Sequence, residues 1–375
     1  MFKSFLRGDK LLILRGLACL AVVIQHAGPP RDFLYVSGRD LSWFMWVNAG
    51  SAVSIFFVLS GYLMGKAFFA NRYSLSFSGV KKFYIARAMR LLPLYYFVVL
   101  TLALFYNGSF IDVQNWKSIV KLLTFSYNHT DLNTAFWTLA VEVQFYLLVP
   151  LLFWIFQSNI KRRLLSIICL LVVFVFGVFQ RLVPEFWLFT PAIIRNSNLA
   201  HNLDIFVCGF LLYPILSHYK NLNTLCKNYI WAVIPLSFVF LLGDSYLHYN
   251  EVSQSRIIQH TLLISSSIAT GFALIYIYLV ESQEYLKTPE KNHRTPHDKP
   301  KTTVLEWVGK LSFGIYVWHF PILAAVGTRY PAMNGEVYPY FRKLGITLIL
   351  SVLYAFVTHI AIENYFVKKR NTVKA

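Results

Sequence analysis

Charge is what this sequence has least of. Only 14% of its 375 residues are Asp, Glu, Lys or Arg, against roughly 25% in ordinary soluble domains. Acidic residues are the scarcer half, 17 against 35 Lys and Arg. A chain with 57% hydrophobic residues and a mean hydropathy of +0.52 cannot cover itself with solvated side chains, which excludes a soluble globular domain and points to a polytopic membrane protein. Cysteine is scarce too. Cys19, Cys169, Cys208 and Cys226 show no CxxC or ligand spacing, so neither a disulfide framework nor a zinc site is indicated and no metal is expected. There is no nucleic-acid motif and no internal repeat, so the net charge of +18 does not imply a nucleic-acid partner. The basic residues flank apolar segments and read as topology signals and contacts to anionic membrane lipids.

Apolar stretches long enough to cross a bilayer fall at 11–28, 44–70, 91–106, 136–156, 164–180, 203–217, 229–243, 258–281, 308–326 and 344–366. Ten spans predict an all-α transmembrane bundle with both termini on one side. With the N-terminus cytoplasmic, the inner segments hold 22 basic residues and the outer ones 10, and this asymmetry sets the orientation. Lys3, Arg7 and Lys10 before an apolar run resemble a signal peptide, but Arg15 interrupts the run and no small-residue cleavage pattern follows, so a retained first helix is expected. The stretch from Glu284 to Thr303, rich in Lys, Pro and His, reads as a mobile cytoplasmic loop within a single membrane domain spanning 1–375, with no appended soluble domain.

Within the apolar segments the few ionisable residues carry the information. Arg15 and His26 lie eleven positions apart; at ~100° per residue that spacing returns both to nearly one helix face, and at ~1.5 Å rise it separates them by about 16 Å. A charge at that depth costs ~2.5 kcal/mol or more, so a functional site is the default reading. With the orientation above, Arg15 lies toward the cytoplasm and His26 toward the outside. Glu142 and His319 reach similar height to His26, and a carboxylate beside His26 would fix its tautomer and stabilise the imidazolium, so a His26–Glu142 pair is expected. On the inner side Lys81, Lys82, Arg87 and Arg90 form a basic mouth; Arg forks bind phosphate bidentately. The plainer reading of that run is a positive-inside anchor. Ser60-Gly61 reads as a notch for close helix packing. Asp204 and His201 lie near the outer end of the sixth span, either lining the same cavity or facing solvent. Trp43, Trp46, Trp137 and Trp187 fit an interfacial aromatic belt, with sugar stacking as a further use.

Five stretches in this order resemble the acyltransferase 3 family of integral membrane acyltransferases, over essentially the whole chain. They are Leu14-Arg15-Gly16-Leu17 followed by Gln25-His26; Phe56-Phe57-Val58-Leu59-Ser60-Gly61-Tyr62; Phe83 to Pro93 with Arg87 and Arg90; Phe136 to Tyr146 with Glu142; and Ser312 to Pro321 with Tyr316 and His319. His201 to Gly209 departs from the family pattern in offering no Arg ahead of Phe206-x-x-Gly209. The resemblance implies transfer of an acyl group, commonly acetyl, from cytoplasmic acyl-CoA to a hydroxyl of a carbohydrate or related acceptor at or beyond the membrane; acetyl-CoA as donor, a surface carbohydrate or its lipid-linked precursor as acceptor and a bacterial inner membrane as location are the expectation for this chain. It implies catalytic roles for Arg15 and His26, and donor binding by Arg87 and Arg90 with Lys82 beside them. Glu142 is expected to orient His26, and His319, Tyr316 and Trp137 to bind the acceptor. His26 would activate the acceptor hydroxyl directly or accept the acyl group first. The competing reading is a proton-coupled sugar transporter or exporter in which His26, Glu142 and His319 form a proton relay; a membrane scaffold is the third.

Overall fold

Asp9 starts the first helix: its carboxylate accepts hydrogen bonds from the backbone N–H groups of Leu11 (3.0 Å) and Leu12 (3.1 Å), satisfying two donors that a helix start leaves open. The computed structural model describes residues 9–105, 116–127, 133–157, 199–218, 230–250, 302–330 and 336–374, together with parts of 168–179 and 268–278. Ten α-helices occur among them: α1 Lys10–His26, α2 Ala49–Phe69, α3 Phe77–Phe105, α4 Trp116–Thr124, α5 Trp137–Phe156, α6 Leu199–His218, α7 Ile230–Tyr249, α8 Val304–Arg329, α9 Val337–Thr358 and α10 Asn364–Lys374. Six helical stretches are long and apolar enough to cross a membrane, as an all-α membrane bundle requires. The expected spans at 164–180 and 258–281 and the loop from Glu284 lie largely outside the described residues.

Boundaries shifted in one instructive place. The sequence suggests a basic connection over 71–90 before the third span, yet α3 begins at Phe77 and carries Lys81, Lys82, Arg87 and Arg90 inside a single helix. Phe83, Ala86 and Arg87 are buried along one face of that helix, while Lys81 and Lys82 turn outward. Amphipathic register, invisible to a hydropathy window, extends the helix into its basic flank.

Two glycine-mediated crossings set the interior. A Cβ on Gly309 of α8 would stand 1.8 Å from the Leu12 carbonyl oxygen, and one on Gly16 would stand 2.7 Å from that of Leu305, so α1 and α8 touch backbone to backbone. Glu306 ties their starts together, accepting from the Asp9 N–H through one carboxylate oxygen and from the Thr303 N–H through the other, each at 2.6 Å. Contacts then climb in step along both chains, Leu12 with Gly309, Arg15 with Ser312 and His26 with His319, so the two helices run parallel. Parallel helices in a membrane need an odd number of crossings between them, as the ten-span reading supplies. The second crossing joins α2 and α6: added Cβ atoms on Gly61, Gly65 and Gly209 would meet backbone oxygens of Phe206, Phe210 and Val58 within 2.1 Å.

Burial grades outward from α2, whose most apolar window is 78% buried, to α3 at 33% and the α9–α10 stretch at 28%. The outer helices expose Leu100, Leu104, Leu147, Leu151, Ile349 and Leu353, side chains suited to lipid contact. Past the His26 end of α1, a hairpin pairs Tyr35 with Asp40 and Val36 with Arg39, turning at Ser37 and Gly38, both at positive φ. Burial acts to raise the Asp40 carboxyl, but hydrogen bonds from Ser42 and Tyr249 outweigh it and hold the group below the usual carboxylate range.

Candidate active site

Five helices enclose one cavity. Arg15 from α1, Phe56, Ser60, Leu63 and Met64 from α2, Arg87, Arg90 and Leu91 from α3, Thr138 and Glu142 from α5, and Ser312 and Tyr316 from α8 all face it. Three guanidinium groups therefore share a space with one carboxylate. Arg15 donates through Nη2 to Ser312 Oγ at 3.1 Å. Arg87 lies over the rings of Phe83 and Tyr146, with its Cζ 5.9 and 5.6 Å from their centroids. It is buried, and its Nε–H has no hydrogen-bond partner. A buried donor left without a partner among the described residues costs on the order of 1 to 3 kcal/mol, more for a charged group.

Glu142 belongs to this arginine cavity and does not pair with His26. Its Oε1 accepts from Ser60 Oγ at 2.8 Å and, at shorter range, from the hydroxyl of Tyr146 one turn along α5. Depth counted along separate helices placed Glu142 level with His26; the side-chain directions, which depth does not fix, carried it to the arginines. Ser60-Gly61 divides its work: Gly61 makes the expected packing notch against α6, while Ser60 turns into the cavity. Ser60, Tyr146, Ser312 and Thr138 are site residues that the sequence reading did not assign. For Tyr146 the signal was present in its i+4 spacing from Glu142.

The expected common face of Arg15 and His26 is realised, since both meet α8, at Ser312 and His319. His26 Nδ1 lies 2.9 Å from His319 Nε2, and His319 Nδ1 lies 2.6 Å from the Tyr316 carbonyl oxygen. The two imidazole planes differ by 3° and their centroids are 5.2 Å apart. That separation, with the nitrogens in hydrogen-bond contact, describes rings joined edge to edge and not stacked face to face. His319 is fully buried and His26 half-buried, with Phe320 edge-on to both at 5.2 and 5.7 Å.

Neither histidine is among the residues lining the arginine cavity. Tyr316 stands between: its ring lines the cavity, its hydroxyl accepts from Thr138 Oγ1 at 3.0 Å, its centroid is 5.5 Å from that of His319, and its carbonyl holds the His319 ring. Tyr316 is thus a residue that belongs to the cavity lining and also contacts the histidine pair.

The remaining expected residues lie elsewhere. Lys82 is exposed and outside the cavity, one helical face away from Arg87. Trp137 packs edge-on against Phe57 at 6.1 Å and lines no part of the cavity. His201 and Asp204 are buried on α6, away from both the cavity and solvent. Trp46 is held by its Nε1–H donating to the Pro30 carbonyl and by Arg31 over its ring at 4.4 Å. Trp187 lies outside the described residues.

A parallel glycine-crossed helix pair, an arginine cavity and a buried histidine pair on one multi-pass membrane bundle define an integral membrane protein with an ionisable interior. The family model of the acyltransferase domain matches residues 10–360, and the chain belongs to this acyltransferase 3 family. It is 24% identical over 365 residues to a Staphylococcus aureus (strain COL) protein named "Putative O-acetyltransferase", covering 91% of this chain and 54% of that one. It is similarly 24% identical over 393 residues to the peptidoglycan O-acetyltransferase OatA of Listeria monocytogenes, covering 91% and 53%. A protein of Acidianus two-tailed virus named "Putative acetyltransferase" is 25% identical over 360 residues, covering 88% of this chain and 92% of its own. The chain spans about half the length of the staphylococcal and listerial relatives. No solved structure matches it significantly.

Proposed function

We propose that this protein is an O-acetyltransferase of the bacterial inner membrane that moves an acetyl group from cytoplasmic acetyl-CoA to a hydroxyl of a surface carbohydrate or its lipid-linked precursor. The observation that carries the reading is the cavity itself: three arginines against one carboxylate, with a buried Arg87 N–H awaiting an acceptor. An excess of guanidinium groups in a half-enclosed space suits a polyphosphate. Arg87 and Arg90 hold the donor's phosphates, and Arg15, fixed by Ser312, carries the same field toward the reacting end. The apolar walls of Phe56, Leu63, Met64 and Leu91 suit the long arm between phosphate and thioester. Glu142, already satisfied by Ser60 and Tyr146, keeps the three cations from being mutually unbalanced.

At the far end the thioester arrives beside Thr138 and Tyr316. His26 takes the proton of the acceptor hydroxyl as oxygen attacks the thioester carbonyl; the C–O bond forms, the C–S bond breaks, and the thiolate leaves and takes up a proton. Tyr316, which lines the cavity and packs on His319, moves aside for this step. The acceptor class follows the names of the relatives, and the orientation follows the basic residues. Membranes or proteoliposomes carrying the full chain, given labelled acetyl-CoA and a glycan acceptor, test the reading. Transfer should vanish in His26→Ala and Arg15→Ala variants that still insert; normal turnover in either, or gradient-driven uptake of a sugar without thioester consumption, would overturn it.

A further inference from the structure

The histidine pair holds a direction that a lone histidine would lack. A backbone carbonyl has no proton to give, so the 2.6 Å contact between the Tyr316 oxygen and His319 requires an N–H at Nδ1 of His319. A neutral imidazole carries one N–H, so Nε2 of His319 is a bare lone pair. That lone pair meets Nδ1 of His26 at 2.9 Å, and only an N–H on that nitrogen makes a hydrogen bond of the contact. His26 is then left with its Nε2 unprotonated. The opposite polarity needs a second proton on His319, a fully buried ring walled by Tyr316 and Phe320. Among the described residues no carboxylate is bonded to that ring, and burying such a cation without a counter-ion is strongly disfavoured. The nearby carboxylate, Glu142, is bonded to Ser60 and Tyr146 on the other side of Tyr316. From α7, the facing titratable group is His248, which contacts Gln25 Nε2 at 3.0 Å and not the pair.

We propose that His319 is a positioning residue that sets the tautomer of His26, presenting Nε2 of His26 as the proton acceptor for the incoming hydroxyl. The inference rests on the reading of His26 as the base. It replaces the carboxylate that usually orients a catalytic histidine with a second imidazole anchored to a helix carbonyl. When Nε2 of His26 takes the hydroxyl proton, the imidazolium keeps its Nδ1–H on the His319 lone pair, which stabilises the new charge, and the proton at Nε2 then passes to the departing thiolate. On α8 the three-residue spacing lets the His319 ring turn back onto the Tyr316 carbonyl, and Pro321, two positions further on, has no N–H for the Val317 carbonyl. The Val317 oxygen is taken up by the Asn133 side-chain amide at 2.9 Å.

Ring-¹⁵N histidine spectra of the full chain in lipid, taken as parent minus His26→Gln, read the tautomer without any acceptor. The signal assigned to His26 should show a protonated Nδ1 and a bare Nε2; a protonated Nε2 would overturn the proposal. Kinetics give the second measure, with acetyl-CoA as donor and chitopentaose as acceptor. His319→Phe should lower kcat at least tenfold, leave both KM values within twofold, and move the acid limb of the kcat profile. His319→Gln, whose amide oxygen can accept from His26 Nδ1–H, should recover part of the loss. An unmoved profile in His319→Phe, or equal loss in both variants, would overturn the proposal. Retained transfer in His26→Gln would instead defeat the reading of His26 as base, and inactivity of the parent toward chitopentaose with a protonated His26 Nε2 would defeat both.

Discussion

The arginine cavity and the histidine pair are built on the same two helices yet solve opposite problems. At Arg15, three guanidinium groups are brought together and one carboxylate is shared among hydroxyls; at His26, two imidazoles are joined in line, with no charged side chain bonded to either among the described residues. The first arrangement suits an anionic guest, because guanidinium groups keep their charge in almost any environment. The second suits proton transfer, because an imidazole gains or loses a proton at little expense near neutrality. Tyr316 belongs to both, with its ring in one and its carbonyl in the other. Distance along α1 therefore separates a cluster of fixed charges from a pair of groups that ordinarily titrate near neutrality.

Several substitutions would break this contrast or sharpen it. Gly309→Leu should remove both regions at once, since its side chain would replace the 1.8 Å approach to Leu12 that seats α1 on α8; overpacking of this kind costs several kcal/mol, and the measurement is the yield of monodisperse protein in mild detergent. His26→Ala should lower transfer by roughly 10² to 10⁴, the usual worth of a positioned base, while the thermal shift given by CoA persists. Arg87→Ala should do the reverse, raising the donor KM by about 10 to 100 fold, as loss of charged hydrogen bonds worth ~1.5 to 3 kcal/mol implies, with kcat nearly intact. Ser60→Ala leaves Glu142 with the Tyr146 hydroxyl and should change donor affinity by only a few fold, in line with ~1 kcal/mol for one hydrogen bond. Lys82→Ala should have the smallest effect, within about twofold on the donor KM, because the residue is exposed outside the cavity.

The parts legible in the sequence were those governed by one helix at a time. The α1 periodicity put Arg15 and His26 on a common face, and both meet α8. Spacing also put Arg87 and Arg90 together, and both face the cavity. What needed two helices was misread or missed. Glu142 was matched to His26 by depth, but the rotation of α5 about its own axis sends it to Ser60 and the arginines. His319 was expected among acceptor contacts, and its contact with His26 was not anticipated. Lys82 was grouped with Arg87 by proximity in sequence, although five positions of helix turn it to the outer face.

Hydropathy and helical period are properties of consecutive residues, so they sufficed to establish an all-α membrane protein and which ionisable groups enter its apolar interior. Which of those groups meet is settled by how the helices pack. Relative rotation and crossing of helices, set here by glycines that let α1 lie against α8 and α2 against α6, are sums of many distant packing contacts, and no local pattern in the chain encodes them.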